Sequence, residues 1–256
     1  MSIDMNRKQF IGSMFATVAG SCIPSFGKSE KSEFDKCKDD ILYFVDNYLE
    51  VNDPLYGKLK MNQRQREYLK RISTTPDYFF CAKGRQIGIS TANNVFAYWK
   101  TTFFGPDYHV WIVGCSSMLC RHLKKSYVNI SDTGLFIHSP DNVHFISPST
   151  MMARGRTWTD KNHTYILDEF DFWNNHGIDG LSKKQLDRYL LNSIWGKYLS
   201  SEQFEKFNSR MFDKFKSPMI VPSSICSYNG TFGKIMRHID DSRKLVLPSP
   251  TRGLKA

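Results

Sequence analysis

The sequence predicts one α/β domain with a mainly parallel sheet covered by helices on both faces. Short apolar runs typical of buried strands alternate with longer segments of helical periodicity, which is the pattern of parallel strands joined by crossover helices. The chain of 256 residues is long enough for one core, and its 41% hydrophobic content excludes a disordered chain. A glycine-containing turn follows one of the apolar runs, as expected where a sheet binds phosphate.

The elements follow from these patterns in chain order. The predicted helices are Asp39 to Leu49, Asn62 to Ile72, Thr91 to Lys100, Ser117 to Tyr127, Lys183 to Leu199 and Glu202 to Lys214. The predicted strands are Tyr78 to Ala82, His109 to Gly114, Tyr165 to Leu167, Met219 to Ser224 and Lys244 to Leu247. Between them, Val143 to Ser147 and Thr150 to Ala153 predict a hairpin or two paired short strands.

Residues 1–34 are predicted to be an N-terminal segment and linker outside the main domain. The apolar stretch Phe10 to Phe26 follows basic residues and is too short and too broken by glycine and proline to span a membrane. It fits either an export signal or a short helix that docks on the core or on a neighbouring subunit. The main domain is predicted over 35–240, with a tail or linker over 241–256.

The segment KGRQIGIST, from Lys83 to Thr91, is typical of a phosphate-binding loop between a strand and a helix. In such loops backbone N–H groups hold phosphates, a lysine reaches the β and γ phosphates, and a hydroxyl binds Mg²⁺. Gly88 and Ser90 fit the pattern, but Ile89 occupies the position of the usual lysine. Isoleucine cannot contact a phosphate, so Lys83 at the start of the loop is the predicted replacement. The phosphate would lie at the positive N-terminus of the next helix.

Two carboxylates follow a second buried strand. Asp168 and Glu169 come directly after Tyr165 to Leu167, and the carboxyl edge of a parallel sheet is where ligands bind. Asp168 is predicted to hold Mg²⁺, and Glu169 to orient and polarise an attacking water molecule. The phosphate loop upstream makes this interpretation stronger than the acid pair alone would.

In order along the chain, these segments resemble the large motor subunit of the viral DNA-packaging terminases. The phosphate loop is similar to a form in that family that begins with lysine, and the acid pair is similar to its metal-binding and catalytic carboxylates. The stretch Cys37 to Pro54 resembles the family's first helix, and Gly57 to Leu69 resembles its adenine-side glutamine motif. Arg154 to Trp158 precedes the acids as is common there, and Ser223, Ser224 and the residues after them resemble the coupling motif.

The resemblance covers roughly residues 35–240 and implies roles for the individual residues. Nucleotide-binding residues would be Lys83, Gly84, Arg85, Gln86, Gly88, Ile89, Ser90 and Thr91, together with Gln65 or its rival Gln63 at the adenine. Metal-binding residues would be Ser90 and Asp168, and catalytic residues Glu169, Arg85 and Lys83. Coupling of nucleotide state to movement would involve Ser223 and Ser224.

The resemblance also implies a fold, an activity and partners. The fold would be a P-loop NTPase of the RecA-like (ASCE) kind with a small C-terminal lid. The activity would be ATP hydrolysis with Mg²⁺, driving double-stranded viral DNA into a procapsid in the host cytoplasm. The partners would be a portal protein, a small terminase subunit and further copies of the chain in a ring, with no membrane; in isolation it is expected as a monomer. The acid cluster of the family's nuclease domain has no counterpart after Arg243.

Composition agrees with a nucleic-acid partner without specifying one. The formal charge of +10 favours an acidic partner, and Arg121, His122, Lys124 and Lys125 on one predicted helix are a weak candidate for DNA contact. Six cysteines without a C-x-x-C pair argue against a structural zinc. Two alternatives remain at this stage: a nonhydrolysing, degenerate nucleotide- or DNA-binding module, and a helicase-type ATPase.

Overall fold

The computed structural model describes residues 31–53, 57–75, 78–147, 150, 162–170, 218–224 and 231–248. Several sequence predictions lie outside these residues. They are the apolar N-terminal stretch, the second short strand ending at Ala153, the segment Arg154 to Trp158, and the helices Lys183 to Leu199 and Glu202 to Lys214.

Within the described part, strands and helices alternate along the chain. The strands are β1 (Leu49–Asp53), β2 (Gly57–Leu59), β3 (Tyr78–Lys83), β4 (His109–Val113), β5 (Ile130–Asp132), β6 (Val143–Ile146), β7 (His163–Leu167), β8 (Met219–Ser223) and β9 (Lys244–Leu247). The α-helices are α1 (Glu33–Asp39), α2 (Ile41–Asn47), α3 (Gln63–Thr74), α4 (Ile89–Phe103), α5 (Ser117–Tyr127) and α6 (Thr231–His238). Single 3₁₀ turns occupy Pro140–Asn142 and Asp241–Arg243.

Six strands form one parallel sheet in the order β6-β4-β7-β8-β3-β9. All of them run the same way, so their carboxyl ends meet at one edge. The four interior strands β4, β7, β8 and β3 are buried along most of their length, as the apolar runs predict for a sheet covered on both faces. The predicted parallel sheet is therefore confirmed. A small antiparallel sheet, β2-β1-β5, accompanies it.

Helix α4, which follows the phosphate loop, is the helix around which the core is built. Twelve of its 15 residues are buried, so other elements surround it nearly all round, as expected of a central helix. Some of its polar side chains bond to neighbouring elements. The Trp99 indole N–H donates to the Cys37 carbonyl at 2.7 Å, and the Tyr68 hydroxyl donates to Asn93 Oδ1 at 2.7 Å. These bonds fix the helix against α1 and α3.

The first helical region differs from its prediction because of two caps. Ser32 accepts a hydrogen bond from the Asp35 N–H and starts a helix at Glu33, within the stretch predicted as linker. The Asp40 carboxylate then accepts from the N–H of Leu42 and of Tyr43, which ends one helix and begins another. The single predicted helix over Asp39 to Leu49 is thus α2 alone, preceded by α1 and followed directly by β1.

The strand predicted in the C-terminal tail belongs to the main sheet. β9 pairs in parallel with β3, from Phe80 opposite Lys244 to Lys83 opposite Leu247. The Leu247 carbonyl also accepts a hydrogen bond from the Gly84 N–H at 2.7 Å, at the start of the phosphate loop. Residues beyond the predicted boundary at 240 therefore support the loop.

Among the described residues, none of the helices has the length and apolar character needed to span a membrane.

A core prediction follows from the aromatic cluster on α2. Phe44 is fully buried against Tyr98, Phe103 and Phe136, whereas Phe34 is 43% exposed. Truncation of a buried phenylalanine costs about 3–5 kcal/mol, so Phe44→Ala should lower the free energy of unfolding by about that amount. The control Phe34→Ala should cost clearly less. Denaturant titration measures both variants, and equal losses would contradict the assigned packing.

Candidate active site

Two strands of the sheet deliver charged side chains to one point at its carboxyl edge. β3 ends in Lys83, β7 runs into Asp168 and Glu169, and β8 lies between these two strands. The Lys83 ammonium donates a hydrogen bond to Glu169 Oε1 at 2.7 Å and lies 3.5 Å from Asp168 Oδ1. The structure thus brings together the displaced lysine of the loop and the acid pair, as the sequence predicts for one site.

This group of charges is largely withdrawn from water. The side chain of Asp168 is fully buried, that of Lys83 is 7% exposed, and that of Glu169 is 23% exposed. Burial disfavours the Lys83 ammonium, but the carboxylates of Asp168 and Glu169 outweigh burial and raise the lysine pKa above its ordinary value. Burial, followed by the negative charge of Glu169, raises the pKa of Asp168, against the opposing effects of Lys83 and Ser90. Asp168 therefore depends on a cation to remain ionised.

Ser90 and Asp168 provide the group types that suit Mg²⁺. The Ser90 hydroxyl, in the first turn of α4, donates to Asp168 Oδ2 at 2.9 Å. Mg²⁺ binds through one or two carboxylates or hydroxyls and keeps water and phosphate oxygens as its other ligands. No cluster of three or more His, Cys, Asp or Glu side chains suited to a metal occurs among the described residues, which is compatible with that mode. The donor set fits Mg²⁺ held jointly with a phosphate.

The loop between Lys83 and α4 ends at a helix N-terminus that no side chain caps. Gly88 is the N-cap of α4, has a left-handed φ of 78°, and makes no side-chain cap hydrogen bond. The N–H groups of the first turn therefore lack a side-chain acceptor at the cap and suit an anion. Gln86 also has a positive φ, of 59°. The loop thus adopts the curled backbone that a phosphate cradle requires.

A clamp from α3 holds this loop in place. Gln65 is buried and donates its side-chain amide N–H to the Gly88 carbonyl at 2.9 Å. Its amide oxygen accepts from the Asn62 N–H, and Asn62 in turn accepts from the Gln65 N–H, which forms a capping box at the start of α3. Both the oxygen and the nitrogen of the Gln65 amide therefore form hydrogen bonds within the protein. The bond to Gly88 supports the loop, and the sequence did not predict it. Gln63 lies exposed at the first position of α3, and the adenine role of either glutamine stays a prediction.

The other predicted loop residues differ in their exposure and in the direction of their side chains. Ile89 is only 1% exposed and packs into the core, so its side chain points away from the site and only its backbone can serve a phosphate. This placement explains why an apolar residue is tolerated where lysine is usual. Arg85 is exposed on the loop, and Thr91 is half-buried in the first turn of α4. The cis-acting role of Arg85 stays a prediction.

Glu169 is held by the strand that carries the predicted coupling residues. The pairing of β7 with β8 runs only to Ile166 and Ile220, two residues before Pro222, which has no N–H to extend it. Beyond that point Glu169 adopts a left-handed φ of 54° and donates its N–H to the Pro222 carbonyl at 2.9 Å. The Ser224 N–H donates to Glu169 Oε2 at 3.1 Å. A proline inside an apolar strand was the available sequence signal for this break.

Comparisons with known proteins add little beyond the fold. No protein-family profile matches the chain, and no curated protein matches it. A DEAD box protein from the hyperthermophile Methanococcus jannaschii is 12% identical with a TM-score of 0.42, over 76% of this chain and 51% of that one. The UvsW helicase from bacteriophage T4 is 11% identical with a TM-score of 0.44, over 87% of this chain and 69% of that one. This chain thus spans about half of the first structure, and likenesses this distant support no inference about activity.

The fold class of the domain is defined by its strand order and by the phosphate loop. A parallel sheet in which β8 separates the phosphate-loop strand β3 from the acid-bearing strand β7 is the RecA-like (ASCE) arrangement of the P-loop NTPase fold, as predicted. The two similar structures are a DEAD box protein and a helicase, and the resemblance to the terminase family stays a prediction.

The clamp on Gly88 generates a prediction with a matched control. A Cβ at Gly88 would lie 2.3 Å from Gln65 Nε2, whereas a Cβ at Gly134, at nearly the same φ, would meet nothing within 4 Å. Gly134→Ala should therefore cost only the left-handed backbone penalty of about 1–2 kcal/mol. Gly88→Ala should cost more, because Gln65 must also leave the loop. Denaturant unfolding measures the difference, and equal costs would show that the clamp does not constrain the loop.

Proposed function

We propose that the protein is a Mg²⁺-dependent ATPase whose site is built from Lys83, Ser90, Asp168 and Glu169. The observation that carries this proposal is the contact of the loop-start lysine with both carboxylates, beside a helix N-terminus without a side-chain cap. A lysine, a hydroxyl, a metal carboxylate and a second acid in this arrangement are the parts that phosphoryl transfer to water needs.

Each side chain has a defined task when a nucleoside triphosphate binds. The phosphates lie along the loop N–H groups, and Lys83 turns from Glu169 towards the β and γ oxygens, where its charge offsets the charge that grows in the transition state. Ser90 and Asp168 would hold Mg²⁺, which would neutralise part of the phosphate charge. Arg85 lies on the exposed rim of the loop, where it can add a second positive charge at the γ phosphate.

Glu169 becomes available as Lys83 leaves it. In the structure its two oxygens accept from the Lys83 ammonium and from the Ser224 N–H. When the ammonium moves to the phosphates, Oε1 can accept a proton from a water molecule in line with the γ phosphate. Oε2 stays oriented by Ser224, so the carboxylate keeps its direction while it changes partner.

The cellular role we propose is translocation of double-stranded DNA, as in the motor subunit of a viral packaging terminase. The support is the ordered set of resembling segments, the +10 charge, and the hydrogen bond between Glu169 and the predicted coupling residue Ser224. That bond gives nucleotide state a direct mechanical path into β8. A ring of copies on a portal, with a small terminase subunit, completes this proposal.

Two other candidate functions share parts of this site. A nonhydrolysing nucleotide-binding module is favoured by Ile89 at the usual lysine position and disfavoured by the placement of Lys83. A helicase-type ATPase would use the same side chains for hydrolysis. It differs in its output, because it would separate the strands of a duplex that a packaging motor moves intact.

The test of the proposal is ATP turnover with and without Mg²⁺ and duplex DNA, on the full chain and on Glu169→Gln. The amide keeps the shape of the side chain but cannot take up a proton, so turnover should fall by at least about 10²-fold while ATP binding persists. Turnover within a few-fold of the parent would remove Glu169 from its role. A parent without Mg²⁺-dependent turnover, also when assembled with portal and DNA, would favour the nonhydrolysing module.

The displaced lysine gives a second, separate prediction. Lys83→Ala should abolish hydrolysis and weaken ATP binding, because no neutral side chain offsets phosphate charge. It also leaves the buried Asp168 without its cation, at a cost of about 3–5 kcal/mol in unfolding free energy. Lys244→Ala, which removes an ion pair with the exposed Asp241, is the control and should leave activity and stability nearly unchanged. A folded and fully active Lys83→Ala protein would transfer the phosphate role to Arg85 or to another subunit.

A further inference from the structure

The exposed face of α5 carries positive charges that form no ion pair with an acid among the described residues. Arg121, Lys124 and Lys125 are all exposed, and no acidic residue occurs in the sequence from His109 to Ser131. Within the described part of the chain, no carboxylate lies within ion-pair distance of any of the three. A groove lined by Tyr127, Val143 and Phe145 also contains Asp141 and Lys124. Asp141 makes no ion pair with Lys124 there.

Stability alone does not account for this arrangement. Residues three and four positions apart are neighbours on a helix, so Arg121 lies beside both Lys124 and Lys125, and each like-charged pair at four positions costs about 0.2–0.5 kcal/mol. Lys124 and Lys125 lie in the last turn, where the helix dipole favours positive charge. Arg121 lies a turn earlier and gains less from the dipole. The repulsion is relieved when a polyanion binds.

Helix α5 is also attached to the active site by two routes. It follows β4 directly, and the Val113 carbonyl at the end of β4 accepts a hydrogen bond from the Asp168 N–H at 2.9 Å. On its other side, Asn94 of α4 donates to the Leu123 carbonyl of α5 at 3.0 Å in a buried position. Force on α5 therefore reaches both the metal carboxylate and the phosphate-loop helix.

We propose that Arg121, Lys124 and Lys125 bind the phosphate backbone of double-stranded DNA. Helix α5 is then the DNA-binding surface of the protein. The choice of DNA as the polyanion rests on the proposed motor function. Three exposed cations on one helix face match a row of phosphates, and at least half of protein–DNA hydrogen bonds go to phosphate and sugar. Binding through them is insensitive to sequence and weakens steeply with salt.

The experiment measures binding of the full chain to a duplex DNA of mixed sequence across a series of salt concentrations. The triple variant Arg121→Ala, Lys124→Ala, Lys125→Ala is compared with a variant of equal net charge that lacks three other exposed lysines, Lys38, Lys60 and Lys70. Each lost phosphate contact lowers the slope of log affinity against log salt by about 0.9, so the α5 triple should lose about 2–3 units of slope. The control triple should lose little.

Three results would overturn the proposal. The first is an equal loss of slope in the two triples, which would show only a general charge effect. The second is an unchanged slope in the α5 triple. The third is tighter binding of single-stranded than of duplex DNA. That result would point instead to the groove of about 500 Å³ beside Lys124, whose lining includes aromatic side chains of the kind that stack on bases.

A milder variant and the choice of readout keep the result interpretable. If the triple variant fails to fold, Arg121→Gln alone decides the question, with an expected slope loss of about 0.9 against none for Lys70→Gln. Binding is measured without hydrolysis. Absence of ATP turnover would therefore defeat the proposed activity and leave the α5 surface standing, whereas an unchanged slope beside normal turnover would defeat the surface alone.

Discussion

The Lys83 ammonium between two carboxylates is the interaction on which this site depends. A buried, ionised Asp168 is costly unless a positive charge lies beside it, and among the described residues Lys83 supplies that charge. The lysine in turn is kept protonated by the acids, so each group maintains the ionised form of the other. Under the proposed function, these three side chains are the ones that would meet phosphate, metal and water, and nucleotide binding would be an exchange of partners within one group of charges.

The fold holds the phosphate loop and Glu169 in different ways. The loop is fixed at both ends, by Leu247 of β9 at Gly84 and by Gln65 of α3 at Gly88. Glu169, by contrast, lies where β7 and β8 have stopped pairing, and it is held by hydrogen bonds with Pro222, Ser224 and Lys83. In the proposed mechanism, phosphate would therefore meet a preorganised loop, while the acid proposed to orient water would lie where the two strands are no longer paired.

Much of this arrangement could be predicted from the sequence because local patterns specify it. The strand before the loop, the start of α5 at Ser117 and the acids after Leu167 all follow from apolar runs and turn residues. The contact between Lys83 and Glu169, 86 positions apart, could be inferred only through the rule that parallel strands end at one edge. The Gln65 clamp, the split of the first helical region at Asp40 and the place of β9 depend on pairings between distant residues, which no local pattern encodes.

The burial of Ile89 has a mechanical consequence. In the usual loop the phosphate-binding cation is carried by the first turn of the helix, so it travels with any movement of that helix. Here the first-turn side chain is committed to the core, and the cation is carried by the last residue of β3, between β8 and β9. The positive charge is therefore anchored to the sheet, where β3 is paired on both sides. In the proposed mechanism, the place of that charge at the phosphates would be set by the sheet and not by the first turn of α4.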